Sequence, residues 1–149
     1  MIGVSRRQVL AGSAGALAIA AFGVAPAQAA NNAQDLIKAF TGGKPATEAK
    51  VKLDLPEIAE NGNTVPMTVT VESPMTEASH VTEVLVLADG NPNAGVATFH
   101  FSPASGVAEA NTRIRLAATQ NIVVVAKTSK GQFYTQQKPV KVTIGGCGG

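Results

Sequence analysis

From residue 50 to residue 144 apolar and polar side chains alternate with a period of two, the pattern of half-buried β-strands. Val51, Leu53 and Leu55 alternate with charged residues as far as Pro56, and Val65, Met67, Val69 and Val71 alternate with Pro66, Thr68, Thr70 and Glu72. Asn61-Gly62-Asn63 supplies the turn between these runs, and Ser73-Pro74 closes the second. Six further strands are predicted over 81–88, 95–102, 111–118, 121–128, 132–136 and 139–144. Asp89-Gly90-Asn91-Pro92-Asn93, Thr119-Gln120 and Ser129-Lys130-Gly131 punctuate them. Seven or eight short strands with no amphipathic helix between them predict an all-β chain, an antiparallel β-sandwich on an immunoglobulin-like plan. The chain has 1 Cys and 0 Trp, so the hallmarks of true immunoglobulin domains are missing and only the architecture is expected.

Ahead of the strands the period is helical. Leu36, Ile37 and Phe40 recur on one face, Asn31-Asn32-Ala33-Gln34-Asp35 offers capping side chains, and Gly42-Gly43 stops the run. This predicts one short helix near 33–41, its apolar stripe packed on the edge of the domain. Earlier still, Ser5-Arg6-Arg7-Gln8-Val9-Leu10 has the form of a twin-arginine export signal. An apolar Ala- and Gly-rich segment over 9–25 follows, then the small-x-small cleavage pattern Ala27-Gln28-Ala29. Val9 stands where that pattern usually has Phe, and both arginines are intact. A membrane-spanning helix needs about 20 strongly apolar residues, whereas Gly12, Ser13, Gly15 and Gly23 dilute this segment. Residues 1–29 are therefore expected to be removed on export to the periplasm, with no stable membrane association of the mature chain. What remains is a single domain over 30–144 and a terminal segment over 145–149.

Loss of the leader changes the charge. Arg6 and Arg7 leave ten Lys and Arg against ten Asp and Glu, a formal net charge of zero. The calculated pI near 8.9 belongs to the precursor and supports no nucleic-acid or membrane-surface partner. A mature chain of about 120 residues is long enough to fold on its core without disulfide staples.

The candidate chemistry lies at the C-terminus, Gly145-Gly146-Cys147-Gly148-Gly149. Glycine populates both signs of φ, so the four glycines predict a flexible arm beginning at Gly145, tied to a strand anchored in the core through Ile144. Extended, such an arm carries Cys147 on the order of 7–10 Å beyond the last ordered residue. Export places this unpaired thiol in an oxidising compartment. Three uses are open to it: a displayed reactive group, a disulfide-linked dimer through Cys147, or a frayed terminus with an incidental cysteine.

Other constellations are weaker. The two histidines, His80 and His100, and the single cysteine exclude a C-x-x-C zinc site within one chain. A cupredoxin copper site needs two His and a Cys held rigidly, with ligands closely following the Cys, and only glycine follows Cys147. His100 alternates with Phe99 and Phe101 and is expected on a solvent or interface face. Arg113 and Arg115 share one strand face, suited to an anion or, more ordinarily, to solvent or a subunit boundary. A nucleophile on a mobile arm has no orienting base of its own, which argues against an autonomous enzyme. No metal or cofactor is expected.

The tail VKVTIGGCGG (140–149), with NPNAGVATFHF (91–101), TRIRLA (112–117) and TQNIVVVAKTSKGQFY (119–134), resembles the SoxY family of thiosulfate-oxidation sulfur carriers. The twin-arginine leader is similar too, and Ala94 departs from the family's frequent second proline in this turn. The resemblance implies a non-enzymatic periplasmic carrier that forms a heterodimer with a signal-less β-sandwich partner, SoxZ. It implies that the haem protein SoxXA joins thiosulfate to the carrier thiol. SoxB then removes sulfate, and SoxCD, where present, oxidises the remaining sulfane sulfur. Carried onto this chain, Cys147 is the covalent attachment site and Gly145, Gly146, Gly148 and Gly149 are the arm. An exported interaction module cross-linked through Cys147 is the alternative.

Overall fold

The computed structural model describes residues 31–147. Eight strands follow one helix: α1 (Ala33–Thr41), β1 (Val51–Asp54), β2 (Ile58–Asn61), β3 (Val65–Val71), β4 (Val81–Ala88), β5 (Gly95–His100), β6 (Ala108–Ile114), β7 (Gln120–Thr128) and β8 (Phe133–Ile144). They form a three-stranded sheet, β1-β3-β6, facing a five-stranded sheet, β2-β8-β7-β4-β5. This is the β-sandwich that the period-two pattern predicts. One pairing departs from the antiparallel plan: β2 runs parallel to the end of β8, with Ile58 opposite Lys141 and Asn61 opposite Ile144.

The alternation decides which side chains meet between the sheets. Val51, Leu53, Val65, Met67, Val69, Val71 and Ile114 from one sheet pack on Val84, Val86, Ile122, Val124, Ala126 and Val140 from the other. Most are fully buried, and burying one such side chain stabilises the fold by about 1.5–3 kcal/mol. β4 breaks the alternation because both of its faces are covered, so Val84 to Ala88 are all buried. Its second face, Leu85 and Leu87, lies under α1, where Ala33, Leu36, Ile37 and Phe40 close a smaller core with Ala94 and Val123. The helix thus covers the outer face of the five-stranded sheet rather than the domain edge.

The start of α1 is also organised differently from the expectation. Asn32 makes no capping bond. Its Oδ1 accepts the Ala94 N–H at 3.1 Å, while Asn31 Nδ2 donates to the carbonyls of Ala88 and Asn91, both at 2.9 Å. These side chains hold the helix to the β4–β5 turn. Its C-terminus follows prediction: Gly42 adopts φ 64°, where glycine carries no Cβ penalty.

Four strands differ from prediction. β5 ends at His100 rather than 102, just ahead of the turn at Pro103–Ser105. β2 is missing from the sequence reading because four residues, only Ala59 of them buried, carry no legible alternation. β6 begins at Ala108 rather than 111 and ends at Ile114, because it is registered on β3 from Val71 opposite Ala108 to Val65 opposite Ile114. The predicted strands 132–136 and 139–144 are one strand, β8, running through Pro139. Lys141 donates its N–H to Glu57 O, on the side away from β7. The missing N–H of Pro139, two residues earlier, faces that same side, where β2 has not yet begun, so no ladder bond is lost.

Candidate functional site

The site is built where three chain segments meet beyond the ends of the paired strands: the β2–β3 turn, the residues after β6, and the residues after β8. Gly62 is at its centre and buried. Its N–H donates to Ile144 O at 2.7 Å, and its carbonyl accepts the Leu116 N–H at 2.8 Å. The Leu116 carbonyl in turn accepts the Gly146 N–H at 2.8 Å. Asn63 Oδ1 accepts the Cys147 N–H at 3.2 Å. The three backbone–backbone bonds among these need close backbone approach. A Cβ on Gly62 would run into Leu116 O and stand 2.8 Å from Gly146 N; one on Gly145 would run into Ala117 O; one on Gly146 would stand 2.7 Å from Arg115 Cγ and 2.8 Å from Gly62 O.

Residues 115–118, which receive the arm, rest on a buried polar pair. Asn91 and Gln120 are 2% and 6% exposed. Asn91 Nδ2 donates to Arg115 O at 2.9 Å, and its Oδ1 accepts the Ala117 N–H at 2.9 Å and the Gln120 Nε2 at 2.7 Å. Gln120 also donates to Ala118 O and accepts the Gly90 N–H. Because buried polar groups are costly unless paired, this pair fixes where the Leu116 and Ala117 carbonyls point.

The start of the arm lies on the sandwich, and one expectation about its anchor is corrected. Gly146 is buried and hydrogen-bonded, and Gly145 lies against Ala117 O. Leu116 lies beyond the β6 pairing with β3, which ends at Ile114, and its carbonyl bonds to the arm instead. The side chain of Ile144 is 65% exposed, so it does not anchor the strand in the core. Val140 anchors it, and Ile144 is held through its carbonyl by Gly62. Cys147 is free and exposed at the tip of this assembly. Gly148, Gly149, Arg6 and Arg7 lie outside the described residues.

The remaining candidates are not brought to the thiol as a chemical unit. His100 is on the exposed face of β5, with Nδ1 3.4 Å from Glu83, and His80 Nδ1 contacts Thr76 O at 2.9 Å. Arg113 and Arg115 are exposed and, among the described residues, have no carboxylate partner; the Arg115 stem lies along Gly146. Among the described residues no three His, Cys, Asp or Glu side chains converge as metal ligands would. Gly62, Asn63, Asn91 and Gln120 were legible in the sequence only as turn residues. Their one distinguishing signal is Asn-Gly-Asn placed between two strands.

Fold and site together define a β-sandwich that displays a single thiol from the end of its last strand. The family model for sulfur oxidation protein SoxY matches residues 37–147. The sulfur carrier protein SoxY from Chlorobium limicola f thiosulfatophilum is 36% identical, with a TM-score of 0.63 over 74% of this chain and 96% of that one. The chain belongs to the SoxY family. Superoxide reductases share the fold alone: that of Ignicoccus hospitalis has a TM-score of 0.57 at 15% identity, covering 63% of this chain and 80% of its own. A putative one from Thermotoga maritima has a TM-score of 0.53 at 18% identity, covering 69% and 89%. Among curated protein sequences there is no match.

Proposed function

We propose that the protein is a periplasmic sulfur carrier of thiosulfate oxidation, exported by the twin-arginine pathway, that holds its cargo covalently on Cys147. The observation that carries this reading is a free, exposed Cys147 at the end of the segment that matches the SoxY family. The thiolate is the reactive form of cysteine, and a persulfide is one of its reversible states. Joining thiosulfate to the thiolate gives Cys–S–S–SO3⁻ and releases two electrons, which the haem partner SoxXA accepts. SoxB adds water across the terminal S–S bond, releasing sulfate and two protons and leaving Cys–S–S⁻. SoxCD, where present, oxidises the remaining sulfane sulfur. The carrier works as a heterodimer with SoxZ and supplies no catalysis, metal or cofactor of its own. Cargo that stays covalently attached between enzymes is never released as a reactive intermediate.

The test is an intact mass, taken without reductant, of protein purified from its own periplasm after growth on thiosulfate. Sulfur or thiosulfonate additions that map to the C-terminal peptide and vanish on reduction support the carrier. A thiol present only as a cross-link supports the structural disulfide instead, and an unmodified thiol supports an incidental cysteine. Cys147→Ser separates the same two readings: a folded, partner-bound and inactive protein against loss of a covalent dimer with thiosulfate oxidation intact.

A further inference from the structure

We propose that the β2–β3 turn and residues 116–117 form a parking site for the arm, with Asn63 as the positioning residue that sets how often the arm is released. The carrier reading gives the device its purpose, but its existence stands on geometry that needs no cargo.

The parked state is held by two bonds beyond β8, Gly146 N–H to Leu116 O at 2.8 Å and Cys147 N–H to Asn63 Oδ1 at 3.2 Å. The receiving surface fits only glycine. Any side chain at Gly145 would run into Ala117 O, and one at Gly146 into the Arg115 stem and Gly62 O. Neither glycine has a positive φ among the described residues. Their identity therefore answers to close approach in the parked state, beyond the freedom that a released arm needs.

Parking leaves the Cys147 side chain exposed but removes the arm's reach. Small reagents meet the thiol in either state, whereas a partner whose reacting centre lies at the bottom of a narrow cleft meets it only after residues 145–147 peel away. Of the two bonds, the one to Asn63 is made by an exposed side chain at the mouth of the site, so it opens first. Arg115 covers Gly146 from above, and displacement of its stem by a docking partner gives a direct route to release.

Amide hydrogen exchange on the full mature chain tests this. In the unaltered protein the Gly146 amide is protected relative to an unstructured glycine peptide. Asn63→Ala lowers that protection by roughly threefold to tenfold, the effect of one net hydrogen bond, while the core amides of Val124 and Ala126 keep theirs. Asn63→Asp, which retains an acceptor oxygen, keeps Gly146 protected. A nitroxide on Cys147 reports the same change as a larger mobile fraction in Asn63→Ala, and iodoacetamide alkylates Cys147 at equal rates in all three proteins. Exchange of Gly146 at the unstructured rate in the unaltered protein overturns the proposal, as does unchanged protection in Asn63→Ala. Neither result bears on cargo, which the intact-mass measurement decides separately.

Discussion

Gly62→Ala is the substitution that most directly tests the arrangement at the end of β8. The backbone of Gly62 is outside the left-handed region, so alanine is conformationally acceptable and the whole cost is one of space. The added methyl would overlap Leu116 O and lie 2.8 Å from Gly146 N and 3.0 Å from Ile144 O. These are backbone atoms on two different segments, with no flexible side chain to give way. Relief requires the turn, the post-β6 segment and the end of β8 to separate. Three hydrogen bonds then lengthen or break: Gly62 N–H to Ile144 O, Leu116 N–H to Gly62 O, and Gly146 N–H to Leu116 O. At a central value of about 1 kcal/mol each, less about 0.4–1 kcal/mol for the reduced freedom of the unfolded chain, the expected loss is about 2–3 kcal/mol. With an m-value of about 1–3 kcal/mol/M, the urea midpoint falls by about 1–3 M. Gly145→Ala is the internal contrast. Its clash with Ala117 O is relieved when the arm swings away, so its stability loss stays below about 1.5 kcal/mol. Equal midpoints for Gly62→Ala and the unaltered protein would falsify the claim that this glycine is required by close packing.

Three further outcomes are expected. Asn91→Ala strips partners from Arg115 O, Ala117 N–H and Gln120 Nε2 in a buried setting and lowers stability by about 2–4 kcal/mol, measured by urea unfolding; a change under 0.5 kcal/mol refutes its role in holding residues 115–118. Gly146→Pro removes the donor to Leu116 O and costs only about 1 kcal/mol, yet the Cys147 amide loses its protection from exchange. Retained protection would show that the arm is not held through Gly146. On the proposed export route, replacing both Arg6 and Arg7 by Lys strands the chain and the proposed SoxZ partner in the cytoplasm, scored by cell fractionation; a partner still exported would contradict their crossing as a folded complex.

How much of this was legible in the sequence follows from which forces leave a local trace. A sandwich strand such as β3 buries alternate residues, so Val65 to Val71 declare themselves by period, whereas β7 is legible as the β-branched apolar run Ile122 to Ala126. β4 was legible through length and Val/Leu content, although its second face is explained only by α1 docking on Leu85 and Leu87. β2 left no trace because it is short and mostly exposed, and it owes its existence to pairing with β8 more than 80 positions away, as the Ile58 to Lys141 register shows. Cys147 was legible as a displayed thiol from the glycines around it, but those glycines read as freedom when two of them also serve contact. A glycine chosen for flexibility and one chosen for close approach look alike until the neighbouring backbone, here Leu116 and Ala117, is in place.

The division between fold and arm therefore falls at one peptide unit. The Gly62 to Ile144 bond continues the parallel β2–β8 pairing, whose register ends with Asn61 opposite Ile144, so breaking it means fraying a ladder joined to the core through Val140 and Ala59. The next bonds outward carry no such coupling. Gly146 N–H and Cys147 N–H can be released without disturbing a strand pair, and Asn63 and Arg115 remain exposed whether or not the arm is present. Local opening is easiest where few buried apolar contacts are lost, and residues 145–147 contribute no apolar side chain to either core cluster. The same backbone geometry thus ends the strand ladder at Ile144 and leaves the thiol on a segment joined to the body by two hydrogen bonds, an arrangement that suits the proposed carrier.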